Sequence, residues 1–224
     1  MTSTIKAINF RAKIRQAITV NFMPGVTLQV FALSIVLCYF FYAPAQPIFD
    51  FIGALKLKYS TSFSIVSTAI FGGLLPFVIL FLKKRVAKPV IWHLLFNIIL
   101  WALMGWLIDS FYQLQAFIFG TGVDIATIVK KTLLDQFVFS VFITSPFITA
   151  MYIWQGSNFS GQTTRNELSV NFFKEKLPAT IFSTWIVWLP AVALIYSMPS
   201  ALQLPLFNLV LCFFVLLISA LNKD

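Results

Sequence analysis

Residues 177–222 read LPATIFSTWIVWLPAVALIYSMPSALQLPLFNLVLCFFVLLISALN. These 46 positions separate Lys176 from Lys223 without one charged side chain. A helix needs about 20 predominantly apolar residues to cross the hydrocarbon core of a bilayer. The stretch is long enough for two crossings, and Met198-Pro199-Ser200 supplies a turn between them. One span is therefore expected over about 179–197 and another over about 204–221.

Four further charge-free stretches precede it. They hold 34 residues between Arg15 and Asp50, 24 between Lys58 and Lys83, 20 between Lys88 and Asp109, and 29 between Asp135 and Arg165. They predict spans over about 26–43, 61–82, 90–108 and 132–154. Residues 44–59 form a Pro-broken segment with Asp50, Lys56 and Lys58. Residues 110–123 are too short to cross and carry Gln113 and Gln115, so an interfacial segment is expected there. A polar loop is expected over 155–178. The expected fold class is all-α: a polytopic transmembrane helix bundle of about six spans plus amphipathic interfacial segments.

The whole chain agrees. Of 224 residues, 59% are apolar and 10% charged, where a soluble domain carries about 25% charged residues. Mean hydropathy is +0.90. Too few polar side chains exist to coat a water-soluble globule. This excludes a soluble enzyme, a secreted disulfide domain and a disordered protein. Cys38 and Cys212 each fall inside an expected span and read as small apolar fillers.

Six spans place both termini on one side. That side carries 12 Lys and Arg residues, against four (Lys56, Lys58, Lys130, Lys131) on the other. The positive-inside rule then puts the termini inside. The net charge of +9 is spread over separate loops rather than gathered on one face, which speaks against nucleic acid. Residues 1–25 form a basic N-terminal segment, and 26–224 a single transmembrane domain. Residues 2–21 suit a helix lying on an anionic leaflet, with Ile5, Ile8, Phe10, Ile14 and Ala17 on its apolar side. A targeting segment has a similar composition. The absence of a clean small-residue cleavage site argues that this segment stays on the mature chain.

Catalytic sets are not found. The single histidine, His93, sits beside Trp92 at the basic end of a span and reads as interfacial. No H-E-x-x-H, G-x-S-x-G, phosphate-binding or dinucleotide-binding loop occurs. No enzyme activity, metal or cofactor is expected. Polar residues at membrane depth are costly and face the bundle interior or a water-filled cavity. Lys131, Asp135, Gln136, Asn97 and Asn208 are therefore candidates for a polar path. Lys131 and Asp135 are four apart on one helix face, so an interfacial ion pair is the simpler reading for them. For Asn208 it is an interhelical hydrogen bond. Gly72-Gly73 with Pro76 kinks its span or lets another helix approach closely. Trp185 and Trp188, three apart, form an interfacial belt with Trp154 or pack against a neighbouring helix.

The C-terminal part, about 120–221, resembles the family of the twenty-two-kilodalton peroxisomal membrane protein, which includes mitochondrial inner-membrane members. The resemblance is carried by Lys130-Lys131-Thr132-Leu133-Leu134-Asp135-Gln136, Asn171-Phe172-Phe173-Lys174 to Leu177-Pro178, and Trp185-Ile186-Val187-Trp188-Leu189-Pro190. Tyr196, Pro199, Asn208-Leu209-Val210 and Ser219 follow in order. Leu189 stands where the family has the first proline of its Trp-Pro-Pro run. The family's G-P-x-x-H-x-W-Y motif is not intact, and residues 88–110 supply an additional span beyond the family's usual four. The resemblance implies a divergent member in a bacterial inner membrane or, for a eukaryotic source, a mitochondrial inner or peroxisomal membrane. It also implies a poorly selective channel for small solutes or ions, or an influence on membrane homeostasis.

Two functional expectations follow. A channel, with a homo-oligomer as one arrangement, has Lys131, Asp135 and Gln136 lining a path beside Gly72, Gly73 and Pro76. A non-conducting scaffold in contact with lipid and protein partners has its polar groups paired internally, and the 26 phenylalanines suit such contacts. A secondary transporter is less favoured, because no half-to-half repeat is evident.

Overall fold

A computed structural model of the chain describes residues 2–168, 172–173 and 177–221. Among them every regular element is helical and none is a strand. The elements are α1 (Thr2–Phe41), α2 (Gln46–Thr68), α3 (Leu75–Leu82), α4 (Val90–Phe119), α5 (Ile125–Leu134), α6 (Ser145–Gly156), α7 (Gly161–Glu167), α8 (Leu177–Tyr196) and α9 (Ser200–Leu221). Wider π-helical turns join α2 to α3 (Ala69–Leu74) and α5 to α6 (Asp135–Thr144).

Among the described residues, five helical stretches are long and apolar enough to cross a membrane: Phe22–Phe41, Ala43–Leu82, Val90–Phe119, Ile125–Gly156 and Ser200–Leu217. A shorter apolar helix, Thr180–Tyr196, occupies the remaining expected position. The described chain is an all-α integral membrane architecture.

The two π segments have one cause. Proline has no N–H, and its ring crowds the carbonyl four residues earlier, so the preceding turns cannot close a regular ladder. Those carbonyls belong to Gly72 for Pro76 and to Phe142 for Pro146, and both lie inside the π segments.

The chain divides into two compact units. One holds Leu28–Lys131 and Ala191–Asp224; the other holds Met1–Thr27 and Thr132–Pro190. In the first, α4 runs antiparallel to α2 and α3, and three glycines set the approach. A Cβ on Gly73 would lie 2.7 Å from the Asn97 carbonyl oxygen, and one on Gly72 would lie 2.7 Å from the Trp101 ring. A Cβ on Gly105 would lie 2.5 Å from the Ser64 carbonyl oxygen and 2.8 Å from Thr68 Cβ. Gly72 and Gly73 thus serve close helix approach. Helix α9 also packs on α2 and runs in the same direction, meeting some of the residues that α4 meets. Gly53 faces Leu202, Thr68 faces Asn208, and Gly72 faces Leu211. Phe31 of α1 stacks on Phe213 of α9 with centroids 4.2 Å apart.

Three features differ from the sequence reading. Residues 110–119 continue α4 instead of forming a separate interfacial segment, and the helix stops only at Gly120, whose φ is 80°. The reason is electrostatic: Asp109 was read as the end of the span, but Lys56 neutralises it inside the unit. The Pro-broken segment is helical from Gln46, and α2 departs from helical geometry only at Ser60 (φ 47°, ψ −127°). His93 is buried on the packed face of α4, while neighbouring Trp92 is exposed.

In the other unit, a Cβ on Gly25 of α1 would lie 3.6 Å from Val187 Cγ2 of α8, an ordinary contact distance. The apolar side expected for residues 5–17 involves side chains outside the described ones. Asn171 and Lys174–Lys176 of the expected connector also lie outside the described residues, as does the Ser219 side chain.

Candidate functional site

The helix from Ile125 to Gly156 carries the most unusual face of the molecule. Its start is fixed by Asp124, whose Oδ1 accepts the Thr127 backbone N–H at 3.0 Å. This is the N-cap geometry that satisfies an otherwise unpaired first-turn amide. Hydrogen bonds from the Thr127 side chain, then its backbone, hold the Asp124 carboxyl below the usual carboxylate range.

From Thr132 onward the helix is two-faced. Thr132, Asp135, Gln136, Phe139, Ser140 and Ser145 are buried. Leu133, Phe137, Val138, Phe142 and Ile143 are exposed. In water this pattern would be inverted; in a bilayer it sets an apolar face toward lipid and a polar stripe inward. Continued through Thr149, the stripe is about 26 Å long at 1.5 Å per residue. That approaches the hydrocarbon thickness of about 30 Å.

Several side chains of this stripe bond along their own helix. Gln136 Nε2 donates to Asp135 Oδ1 at 2.8 Å, the Ser140 and Ser145 hydroxyls lie 3.4 Å apart, and Thr149 Oγ1 donates to the Ser145 carbonyl at 2.6 Å. Thr132 Oγ1 and Gln136 Oε1 are buried without a hydrogen-bond partner. Trp185 of α8 braces the stripe from within the same unit. Its Nε1 donates to the Gln136 carbonyl at 2.8 Å, and its ring lies 4.8 Å from Phe137 and 5.4 Å from Phe182. Packing, not a surface belt, is thus the setting of Trp185. Trp188 is half-buried, and Pro190 is exposed within α8. Trp154 meets Phe159 edge-on.

Polar groups of the other unit behave differently, because they tie helices together. Thr68 Oγ1 donates to Asn208 Oδ1 at 2.9 Å, and Asn208 Nδ2 donates to Ser67 Oγ at 2.9 Å. Lys56 Nζ reaches Asp109 Oδ1 at 2.7 Å and the Ser60 carbonyl at 3.1 Å. Gln113 Nε2 donates to Asp109 Oδ2 at 2.8 Å and to Thr61 Oγ1 at 3.2 Å. Asn97 Nδ2 donates to the His93 carbonyl of its own helix. Pro76 is buried, and Pro199 accepts the Leu202 N–H in the turn before α9.

Lys131 stands apart. It is 1% exposed and has no ion-pair partner among the described residues, and its Nζ lies 6.0 Å from the centre of the Tyr196 ring. The expected ion pair with Asp135 is replaced by this ring contact. The sequence reading named Asp135 and Gln136 of the stripe and an interhelical hydrogen bond for Asn208, but not Thr132, Ser140 or Ser145, and it missed the Lys56–Asp109 pair. The available signal was a lysine in the broken segment and an aspartate at a span end, opposite charges with no neighbour in sequence.

Long apolar helices, an inward polar stripe and lipid-facing phenylalanines define an integral, multi-pass helical membrane protein. No family model, curated protein or solved structure matches the chain.

Proposed function

We propose that this protein is a poorly selective channel for small solutes or ions, with the buried stripe Thr132–Thr149 as one wall of its path. The reading rests on one contrast. Side-chain bonds tie α2 to α4 and α9 through Lys56–Asp109 and Thr68–Asn208–Ser67, whereas the stripe bonds Gln136 to Asp135, Ser140 to Ser145 and Thr149 to Ser145 within its own helix and holds Thr132 Oγ1 and Gln136 Oε1 without a hydrogen-bond partner, as Ser64 Oγ and Gln115 Oε1 are in the other unit. Groups that tie helices need no water; groups left open in a low-dielectric interior do. The excess of basic residues in terminal-side loops supports termini on the inner side. Divergent membership of the peroxisomal membrane protein family is supported by the sequence motifs alone, two of which the bond from Trp185 to the Gln136 carbonyl brings together.

Flux through liposomes containing the purified full chain tests the reading, with ions and neutral solutes of graded size. Wild type is expected to conduct. Asp135→Asn should lower cation preference several-fold, and Gln136→Leu should reduce flux. Absence of flux from folded, inserted protein overturns the channel. The second reading, a non-conducting scaffold with lipid or protein partners, would then take its place. The interhelical ties of α2, α4 and α9 favour that reading.

A further inference from the structure

We propose that Lys131, with Gln115, forms a binding site for an anionic phosphate that also carries a hydroxyl. The inference goes beyond conduction, since a protein that conducts nothing could hold such an anion, and it uses none of the stripe side chains.

The argument begins with charge. A lysine is almost never fully buried without a partner, because removing the ammonium from water is costly unless an opposite charge repays it. Lys131 is 1% exposed, and no carboxylate lies within ion-pair distance among the described residues. Asp109 of the same unit is already engaged by Lys56 and Gln113. The Tyr196 ring, 6.0 Å from Nζ, supplies weak cation–π attraction and not a counter-charge.

The second observation is independent. Gln115 is fully buried; its Nε2 donates to the Lys131 carbonyl at 3.3 Å, while its Oε1 has no partner. A buried amide oxygen left open calls for a donor. Tyr112, whose ring centre lies 5.2 Å from that of Tyr196, lies on the same face of α4 as Gln115. The unit thus holds one buried cation and, on a side chain bonded to that lysine's own backbone carbonyl, one buried acceptor without a partner. Hydrogen phosphate has a negative oxygen for the first and a P–OH for the second. A phosphatidylglycerol headgroup has the same pair in its phosphate and glycerol hydroxyls. Lys131 lies about 9 Å along the helix from Ile125, within its first two turns. That position suits the headgroup region of a bilayer.

The test uses the full chain in phosphatidylcholine nanodiscs, titrated with inorganic phosphate at constant ionic strength. Saturable binding is expected, weakened at least tenfold by Lys131→Met and several-fold by Gln115→Leu. Lys130→Met, which alters an exposed neighbour, should leave it unchanged. If phosphatidylglycerol is the occupant, discs containing that lipid abolish phosphate binding, and Lys131→Met lowers the lipid's retention. Phosphate binding that persists in Lys131→Met, or no response to either probe, overturns the site. Should Lys131→Met fail to fold, the 15N-labelled Lys131 ammonium of wild type is followed instead, with Lys131→Arg for assignment. A saturable shift with phosphate or phosphatidylglycerol supports the site, and no shift overturns it.

Discussion

Gly105 shows how much one missing methyl group decides. Its Cα faces the Ser64 carbonyl, a backbone atom that cannot rotate away, so a Cβ there would have to push α2 from α4. Gly105→Ala is expected to destabilise the protein by about 1–3 kcal/mol, the range for overpacked interiors. Unfolding in mixed micelles measures it, and a variant as stable as wild type would contradict the close approach. Gly72 and Gly73 were legible because a paired glycine near a proline in an apolar span has few other uses. Gly105 was not, because a lone glycine in Met104-Gly105-Trp106 gives no hint of which helix it meets. Lys131 was legible as a cation at the start of an apolar run. Its true neighbour, Tyr196, is 65 positions away and has no signature in sequence.

At the scale of elements, apolar run lengths and prolines carried most of the information. The turn at Met198-Pro199-Ser200 follows from them, whereas residues 46–59, expected to be broken by proline, are helical and the geometry departs only at Ser60. The π segments follow less directly, since a proline announces a disturbed ladder without saying whether the helix kinks or widens. The extension of α4 past Asp109 was hidden, because a charge ends a span only when nothing neutralises it. The Lys56–Asp109 pair supplies the element-scale prediction. Asp109 is 3% exposed in its side chain and Lys56 11%. Removing one partner leaves the other buried and unpaired, at a cost of about 3 kcal/mol. Asp109→Leu and Lys56→Met should each destabilise the protein by roughly that amount, while the double variant recovers most of the loss. Additive losses in the double-variant cycle would show that the two charges do not depend on each other.

For the whole molecule, the bilayer decides which faces are acceptable. The exposed phenylalanines, isoleucines and valines of the helix from Ile125 to Gly156 would be a liability in water and are the ordinary surface of a membrane span. The polar stripe behind them is the less ordinary feature, and its length nearly matches the hydrocarbon core. Composition revealed the membrane class, and polar residues at depth pointed to this helix. Which polar groups tie helices and which stay open depended on partners far away in sequence, such as Thr68 with Asn208. Substituted-cysteine accessibility tests the central claim most directly, in a background where Cys38 and Cys212 are replaced by alanine. A small membrane-impermeant thiol reagent is applied to the inserted protein. Thr132→Cys, Gln136→Cys, Ser140→Cys and Ser145→Cys are predicted to react, while Leu133→Cys, Phe137→Cys and Phe142→Cys stay protected by lipid. Stripe cysteines as inert as the lipid-facing ones would contradict a water-filled path along this helix.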